Sequence, residues 1–276
     1  MAERTSTLVI EPKGGPDRGT VVLWLLGAAA FAYLALPLAN LLIVEPWGAV
    51  PAALADPLAV DALVTSLVSA SITTVCVAAL GIPLAYVLAH WRFPLHAIVT
   101  LLVYVPLVFP AVVSGIVQLL VYGPYGPIGA FWAMHGLELD SSLAGTVLAQ
   151  TFVAAPFAIV ASRAAFEAVD PATERVAMTL GATRWRVFWS VSLPQAGGGV
   201  VAGLILTWLR AMGEFGATAV MAYHPYTLPV YTYVQLTGLG LPAALPLALL
   251  ALAASVLAIT AALAVTARGR LFGTRT

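Results

Sequence analysis

The sequence predicts an all-α membrane protein with six transmembrane helices. Three observations support this fold class: the hydrophobic content, the lengths of the apolar runs and the positions of the basic residues. Hydrophobic residues make up 61% of the 276 positions and charged residues 9%, and the mean hydropathy is +0.99. Soluble domains usually carry about 25% charged residues, so this composition indicates a chain whose main solvent is lipid.

Six apolar runs reach the length of about 20 residues that a helix needs to cross a bilayer. We expect the first run to remain as an anchor, because it is too long for the core of a signal peptide. The predicted organisation is a tail over 1–20, a transmembrane region over 21–267 and a second tail over 268–276. The six runs are Val21–Val44, Ala62–Ala89, Ala97–Tyr122, Leu143–Ser162, Ala196–Tyr223 and Leu241–Ala267.

The basic residues fall on one side of this arrangement. Eleven of the twelve Lys and Arg residues lie in the tails or in the connections after the second and fourth runs, and Arg210 lies inside the fifth run. The connections over 45–61, 123–142 and 224–240 contain none. Because positively charged loops stay in the cytoplasm, we predict that both termini are cytoplasmic, together with the connection between runs four and five.

The charge balance and the cysteine count argue against several other functions. The formal net charge is +0, whereas nucleic-acid binding requires a basic face, so we expect no nucleic-acid partner. The single cysteine, Cys76, allows neither an internal disulfide nor a cysteine metal cluster. The histidines lie at the ends of runs or in connections, and no HExxH or GxSxG pattern occurs. We therefore predict no catalytic residue, no metal site and no cofactor bound by this chain.

A polar segment over 170–194 separates the fourth and fifth runs. Asp170 is a good N-cap and Pro171 suits the first helical position, while Gly181 can adopt the left-handed conformation that ends a helix. These residues predict a helix of roughly Pro171 to Leu180, followed by a second helical piece up to Pro194. Periodicity alone leaves two interpretations open: an interfacial hairpin that joins two spans, or a helix presented to the groove of a cytoplasmic partner.

This segment resembles the hallmark loop of the permease subunits of ABC-type importers. That loop reads Glu-Ala-Ala, three residues, Gly, nine residues, an aliphatic residue, one residue and Leu-Pro. In this chain Val176 replaces one alanine, and the acidic residue lies one position further from the glycine than in the pattern. The matching residues are Glu174, Ala177, Gly181, Val191, Leu193 and Pro194.

Two further segments narrow the resemblance to oxyanion permeases. LRAMGEFGATAVMA in the fifth run and YGPYGPIG after the third are similar to segments of molybdate, tungstate and sulfate permeases. The continuation YHPYTLPVYTY is most similar to the molybdate/tungstate type. A sulfate or thiosulfate permease is the alternative within the family, and such importers usually pair two different permease chains. A stand-alone channel or carrier is the alternative outside it, although it has no use for the Gly181-to-Pro194 pattern.

The resemblance implies the type I ABC importer permease fold and a place in the plasma membrane. It also implies a homodimer of this chain, two ATPase subunits, and an external binding protein that delivers the oxyanion. ATP and magnesium would be bound by the ATPase subunits, since no G-x-x-x-x-G-K-[S/T] phosphate loop occurs here. The segment over 170–194 would contain the coupling helix that docks on an ATPase subunit. The residues expected to serve this coupling are Asp170, Glu174, Ala177, Gly181, Ala182, Leu193 and Pro194.

Four polar residues within the apolar runs are candidates for a translocation pathway or its gate. Arg210 and Glu214 are four residues apart, so we expect them on one face of one helix. A charge in the bilayer centre costs about 2.5–3.5 kcal/mol on insertion scales, so these side chains should face protein or water. They either form an ion pair that fixes packing, or Arg210 serves a divalent anion while Glu214 holds it in the closed state. Ser114 and Gln118 in the third run either line the same pathway, or bond to a backbone group or to a neighbouring helix.

Overall fold

A computed structural model describes residues 18–44 and 47–272, which are helical apart from short connections. The chain divides into two compact units, residues 1–46 and 47–276. The described part of the first unit is one helix, α1, which spans Arg18–Val44 and contains Pro37. Most of the predicted tail over 1–20 lies outside the described residues.

The second unit consists of twelve α-helices over residues 47–272, with one 3-10 turn at Trp47–Ala49 and one π-helical turn at Phe188–Ser192. The last helix extends to Phe272, so part of the predicted tail over 268–276 is helical. The twelve helices are α2 (Val50–Ala55), α3 (Pro57–His90), α4 (His96–Val108), α5 (Ala111–Tyr122), α6 (Pro127–Ala133), α7 (Leu143–Glu167), α8 (Pro171–Thr179), α9 (Arg184–Val187), α10 (Leu193–Met212), α11 (Gly216–Met221), α12 (Leu228–Leu239) and α13 (Leu241–Phe272).

Five helical segments of the described chain are long and apolar enough to cross a membrane, and α5 with α6 makes a sixth if this pair, bent by 54°, is counted as one span. The five segments are Gly19–Val44, Pro57–His90, Leu143–Glu167, Arg184–Met212 and Leu241–Ala261. The protein is therefore a multi-pass membrane protein, with five or six spans where the sequence predicted six.

Two of the predicted spans are broken rather than continuous. The run Ala97–Tyr122 divides between α4 and α5, because Pro110 has no N–H and forces Phe109 out of the helical region, with ψ at 130°. The run Ala196–Tyr223 divides at Gly213, where α10 ends and α11 follows. The predicted connection over 224–240 contains a helix, α12, and Gly240 ends that helix with a φ of +85°.

The centre of the second unit is formed by α3, α7 and α10. Gly203 of α10 lies so close to α7 that an added Cβ would be 2.9 Å from the Ala161 Cβ. Such small residues allow membrane helices to approach closely. Gln150 of α7 donates to Ser69 at 3.0 Å and accepts from Thr73 at 3.1 Å, which joins α7 to α3 inside the bundle. These contacts hold α3, α7 and α10 together as a closely packed three-helix core.

Candidate functional site

The helix α8 lies at the end of the bundle where α3 and α7 finish and α10 begins, and we call this the loop end. Asp170 caps α8 by accepting a hydrogen bond from the Ala172 N–H at 2.8 Å. At the other end, Gly181 has a φ of +87° and its N–H donates to Met178 O at 3.0 Å, while the Ala182 N–H donates to Ala177 O at 3.0 Å. This pair of hydrogen bonds is a Schellman motif. The start that the sequence predicts is therefore confirmed, and the helix ends one residue earlier than expected.

The chain then returns to the membrane through α9 and the π-helical turn. Thr183 caps α9 by accepting from the Arg186 N–H at 3.3 Å. The Leu193 N–H donates to Phe188 O, five residues earlier, which closes the π turn. Pro194 occupies the first turn of α10, where its missing N–H costs little. The Leu-Pro pair thus marks the start of the long helix α10.

The faces of α8 differ in exposure. Val176 and Leu180 are 59% and 83% exposed, although both are apolar. Leu180 directly follows α8 and lies four residues after Val176, so the two side chains lie on one side at the end of the helix. Glu174 is the residue of α8 that is buried. Its Oε1 lies 3.0 Å from His90 Nε2 and also accepts from the Ser192 hydroxyl, so this side chain points into the loop end.

The partners of Glu174 come from distant parts of the chain. His90 is the last residue of α3, and Ser192 is the last residue of the π turn. His90 lies 84 residues from Glu174 along the chain. No spacing rule joins residues that far apart, so no sequence signal could have identified this contact.

Arg210 and Glu214 form the predicted ion pair, but they do not share one helix. Arg210 Nη1 lies 2.5 Å from Glu214 Oε2, while α10 ends at Met212 between them. The other carboxylate oxygen of Glu214 accepts from the Ala217 N–H at 2.7 Å. The Glu214 side chain is 1% exposed and the Arg210 side chain 31%. Glu214 therefore joins the two helical pieces on either side of the break at Gly213.

Ser114 and Gln118 are both buried on α5. The Ser114 hydroxyl donates to Pro110 O at 3.2 Å, which agrees with the predicted alternative of a backbone bond. Neither amide atom of Gln118 has a hydrogen-bond partner. The helix α5 packs closely on α11, because an added Cβ at Gly115 would be 2.8 Å from Ala217 O. The segment that Glu214 holds is therefore in contact with the helix that carries Ser114 and Gln118.

At the opposite end of the second unit, α12 is joined to the start of α3. The Tyr231 hydroxyl donates to Asp56 Oδ2 at 2.6 Å, and the Leu228 N–H donates to Ser66 Oγ at 2.7 Å. Burial, and then the hydrogen bond to the Asp56 carboxylate, raise the pKa of Tyr231 above its ordinary value. This phenol remains a donor at neutral pH, which keeps α12 attached to α3.

Among residues 18–44 and 47–272, no three His, Cys, Asp or Glu side chains are grouped so that they could hold a metal ion. Cys76, which lies within α3, is a free and half-buried cysteine. In the same part of the chain, Arg163 pairs with Glu167 and Arg210 with Glu214, and His90 Nε2 lies 3.0 Å from the Glu174 carboxyl group.

Residues 81–270 match the model of a protein family described as binding-protein-dependent transport system inner membrane component. The match includes the end of α3, the segment over 170–194, and the helices α10 and α11. It includes the Gly181-to-Pro194 pattern that the sequence analysis identified.

Curated relatives match most of the chain. A probable molybdenum ABC transporter permease protein of Haloferax volcanii is 38% identical over 234 residues, which are 85% of this chain and 86% of that protein. A molybdate/tungstate transport system permease protein of Thermococcus kodakarensis is 38% identical over 227 residues, 82% of this chain and 87% of that protein. A sulfate transport system permease protein of Synechocystis sp. is 36% identical over 203 residues, 71% and 72% of the two chains.

A solved structure has the same fold. It is that of a bacterial alginate ABC transporter in complex with an alginate pentasaccharide-bound periplasmic protein. The matched chain gives a TM-score of 0.70 at 18% identity, over 92% of this chain and 95% of that one. At this identity the likeness concerns the fold alone, and it agrees with the fold that the sequence resemblance implies.

Proposed function

The chain belongs to the family of binding-protein-dependent transport system inner membrane components, and from that premise we propose that it is the membrane subunit of an ATP-driven importer of molybdate and tungstate. The observation that carries this proposal is the 38% identity to a molybdenum permease and to a molybdate/tungstate permease, over more than four fifths of each chain. Sulfate is the competing substrate, since a sulfate permease is 36% identical over a shorter stretch.

The proposed assembly contains two copies of this chain, two ATPase subunits that bind ATP and magnesium, and an external binding protein. The plasma membrane is the proposed location, with both termini in the cytoplasm, as the distribution of Lys and Arg predicts. The helix α8 is the proposed docking element for an ATPase subunit. Two observations support this. The side chains of Val176 and Leu180 are exposed, and hydrogen bonds cap α8 at both ends, so the helix is well defined. On a short polar segment predicted to lie in the cytoplasm, two exposed apolar side chains are available to the groove of a partner.

The break at Gly213 is the proposed gate region. A divalent anion needs a positive group along its path, and Arg210 is the partly exposed member of the pair while Glu214 is buried. In the described conformation Glu214 neutralises Arg210, so the guanidinium is not available to attract an anion with its full charge. We propose that during transport Arg210 releases Glu214 and binds the oxyanion. Glu214 keeps its hydrogen bond from the Ala217 N–H.

Affinity purification of the tagged chain from its native membranes, followed by mass spectrometry, tests the assembly. We expect the wild type to retain an ATPase subunit and Gly181→Trp to lose it, because the indole ring would occupy the proposed docking surface at the end of α8. The matched control is Gly136→Trp, since Gly136 also has a positive φ, +75°, and open space around its Cβ position. Residue 136 lies in a connection predicted to be external, so this variant should retain the ATPase. Absence of an ATPase subunit from the wild type would favour the stand-alone carrier.

The substrate is tested by titrating the co-purified binding protein with molybdate, tungstate and sulfate. We expect molybdate and tungstate to bind at least tenfold more tightly than sulfate, a difference of about 1.4 kcal/mol. Selective binding of sulfate, together with a second permease chain in the purified complex, would instead identify a sulfate permease.

A further inference from the structure

The polar contact at the loop end joins three separate elements through one buried carboxylate. Glu174 comes from α8, His90 from the last turn of α3 and Ser192 from the π turn that precedes α10. We call these three residues the Glu174 clamp. A buried carboxylate is costly unless it is paired and hydrogen-bonded, and here both partners come from the membrane helices rather than from α8 itself.

The distances around His90 indicate which of its ring nitrogens donate hydrogen bonds. His90 Nδ1 lies 3.0 Å from the Tyr86 carbonyl oxygen, which can only accept, so Nδ1 carries a hydrogen. His90 Nε2 lies 3.0 Å from Glu174 Oε1, so one further proton must lie between these two atoms. Loss of either partner would leave the other without this hydrogen bond in a largely apolar surrounding.

Aromatic rings surround the clamp and limit the access of water. The Tyr86 ring centroid is 4.1 Å from that of His90 and 4.9 Å from that of Phe188, and Phe166 lies 5.2 Å from Tyr86. Phe166 and Phe188 are buried, at 1% and 4% exposure. Hydrogen bonds are stronger in surroundings of low dielectric, so this cluster makes the clamp a firm connection.

Glu174 points away from the side of α8 that is proposed to dock on the ATPase subunit. Val176 follows two residues later, about 200° around the helix, and is exposed. Glu174 therefore faces the bundle while the apolar face of α8 faces outward. The π turn places Ser192 against the carboxylate, and π turns are rare and frequently found at functional sites. From Ser192, α10 runs 20 residues, about 30 Å, to the break that holds Arg210 and Glu214.

We infer that His90, Glu174 and Ser192 are positioning residues that transmit displacement of the coupling helix to α3 and α10. This inference rests on the proposed function, in which α8 docks on an ATPase subunit. In it, Glu174 does not contact the ATPase. It holds α8 to the ends of two helices of the central bundle, so that a movement of α8 moves both of them.

The test uses the complete complex in proteoliposomes, with the binding protein loaded with molybdate. Two rates are measured for each variant: ATP hydrolysis and molybdate uptake. We expect His90→Ala and Glu174→Ala to lower uptake per ATP hydrolysed by roughly tenfold, the effect of leaving one buried polar partner unpaired. The double variant should be no worse than either single one, because both remove the same contact. Ser192→Ala, a smaller change that keeps the His90 contact, should lower the ratio by about threefold.

Two further variants distinguish the clamp from a general packing effect. Glu174→Gln should keep more of the coupling ratio than Glu174→Ala, because an amide NH2 at the Oε1 position fills the same volume and can donate one hydrogen to a neutral His90 Nε2 and the other to the Ser192 hydroxyl oxygen. Gln195→Ala is the matched control: its amide donates to Thr173 at 3.4 Å and so also joins α8 to α10, but on the exposed surface. It should leave the ratio unchanged.

Three results would overturn the inference while leaving the proposed function intact. One is an assembled His90→Ala complex with the wild-type ratio beside a defective Glu174→Ala complex, which would mean that Glu174 contacts the ATPase directly. Another is Glu174→Gln as defective as Glu174→Ala. The third is Ser192→Ala with a wild-type ratio. A wild-type complex that shows no hydrolysis stimulated by the loaded binding protein would instead count against the proposed function itself.

Discussion

The two glutamates that are buried in the described residues, Glu174 and Glu214, have partners of different kinds. Glu214 is paired with Arg210 four residues before it and with the N–H of Ala217 three residues after it. Glu174 is paired with His90, 84 residues away, and with Ser192, 18 residues away. One carboxylate stabilises a local break in a helix, and the other joins three elements.

The two glutamates are therefore expected to affect different properties of the protein: its folding stability, and the coupling of α8 to the membrane helices. Glu214 is almost completely buried, and its pairing joins α11 to the end of α10 across the break at Gly213. Glu174 is buried under a surface helix, and its pairing decides how firmly that helix is attached to α3 and α10. We therefore expect substitutions at Glu214 to act mainly on folding, and substitutions in the Glu174 clamp to act mainly on coupling.

Glu214→Ala is expected to have the largest effect on stability. It leaves Arg210 without its partner and removes the acceptor of the Ala217 N–H. Removal of one partner from a buried ion pair typically costs about 3–5 kcal/mol. The thermal midpoint of the purified protein in detergent measures this loss. Glu174→Ala, measured in parallel, should lower the midpoint less, because a histidine left without its partner can be neutral, whereas an arginine always keeps its charge. A larger drop for Glu174→Ala would reverse the comparison.

Arg210→Ala removes the other member of this ion pair and tests whether Arg210 serves the transported anion as well as packing. If Arg210 serves the anion as well as the packing, molybdate uptake should fall by roughly tenfold, the scale of one lost hydrogen bond to a charged group. Uptake and the amount of assembled complex are measured together. Arg210→Lys keeps the charge but not the planar fork of donors, so it should lie between the wild type and Arg210→Ala. Equal losses of uptake and assembly would show that the pair serves packing alone.

The same contrast explains what could be predicted from the sequence. Spacing identified the Arg210–Glu214 pair, because residues four apart meet even across the break at Gly213. Local chemistry identified the start of α8 at Asp170 and its end near Gly181. These features depend on interactions between residues close together in the chain, so their signals are present in short stretches of sequence.

Long-range packing produced the features that the sequence did not reveal. The contact of His90 with Glu174 requires α3, α7 and α10 to be packed together, which no short stretch determines. The break at Gly213 was missed because the apolar run continues through it, and the carboxylate that supports it was interpreted as part of one helix. The helix α12 was missed although Pro229 in its first turn and Gly240 at its end are ordinary helix signals, since its low charge was interpreted as an external loop.

Gly115→Ala tests whether α11 depends on its contact with α5 as well as on Glu214. The added Cβ would lie 2.8 Å from Ala217 O and from the Val220 Cβ, so the two helices must move apart. Overpacking of this kind costs about 1–3 kcal/mol, which the thermal midpoint should register as a loss smaller than that of Glu214→Ala. Gly198→Ala is the control, because its Cβ would meet nothing within 4 Å inside α10. A neutral Gly115→Ala would mean that Glu214 alone fixes α11.

The smallest expected effect belongs to Gln195→Ala, compared with Ser192→Ala. Both side chains join α8 to the start of α10, but Gln195 is exposed and its bond to Thr173 is long, at 3.4 Å. Surface substitutions usually change stability by less than about 0.5 kcal/mol, so the thermal midpoint of Gln195→Ala should equal that of the wild type. Ser192→Ala leaves the buried Glu174 with its His90 contact but one donor fewer, and should cost about 0.5–1.5 kcal/mol, the net contribution of a typical hydrogen bond. If the two variants were equally neutral, burial would not be what makes the Glu174 clamp firm, and the contrast between the two glutamates would rest on Glu214 alone.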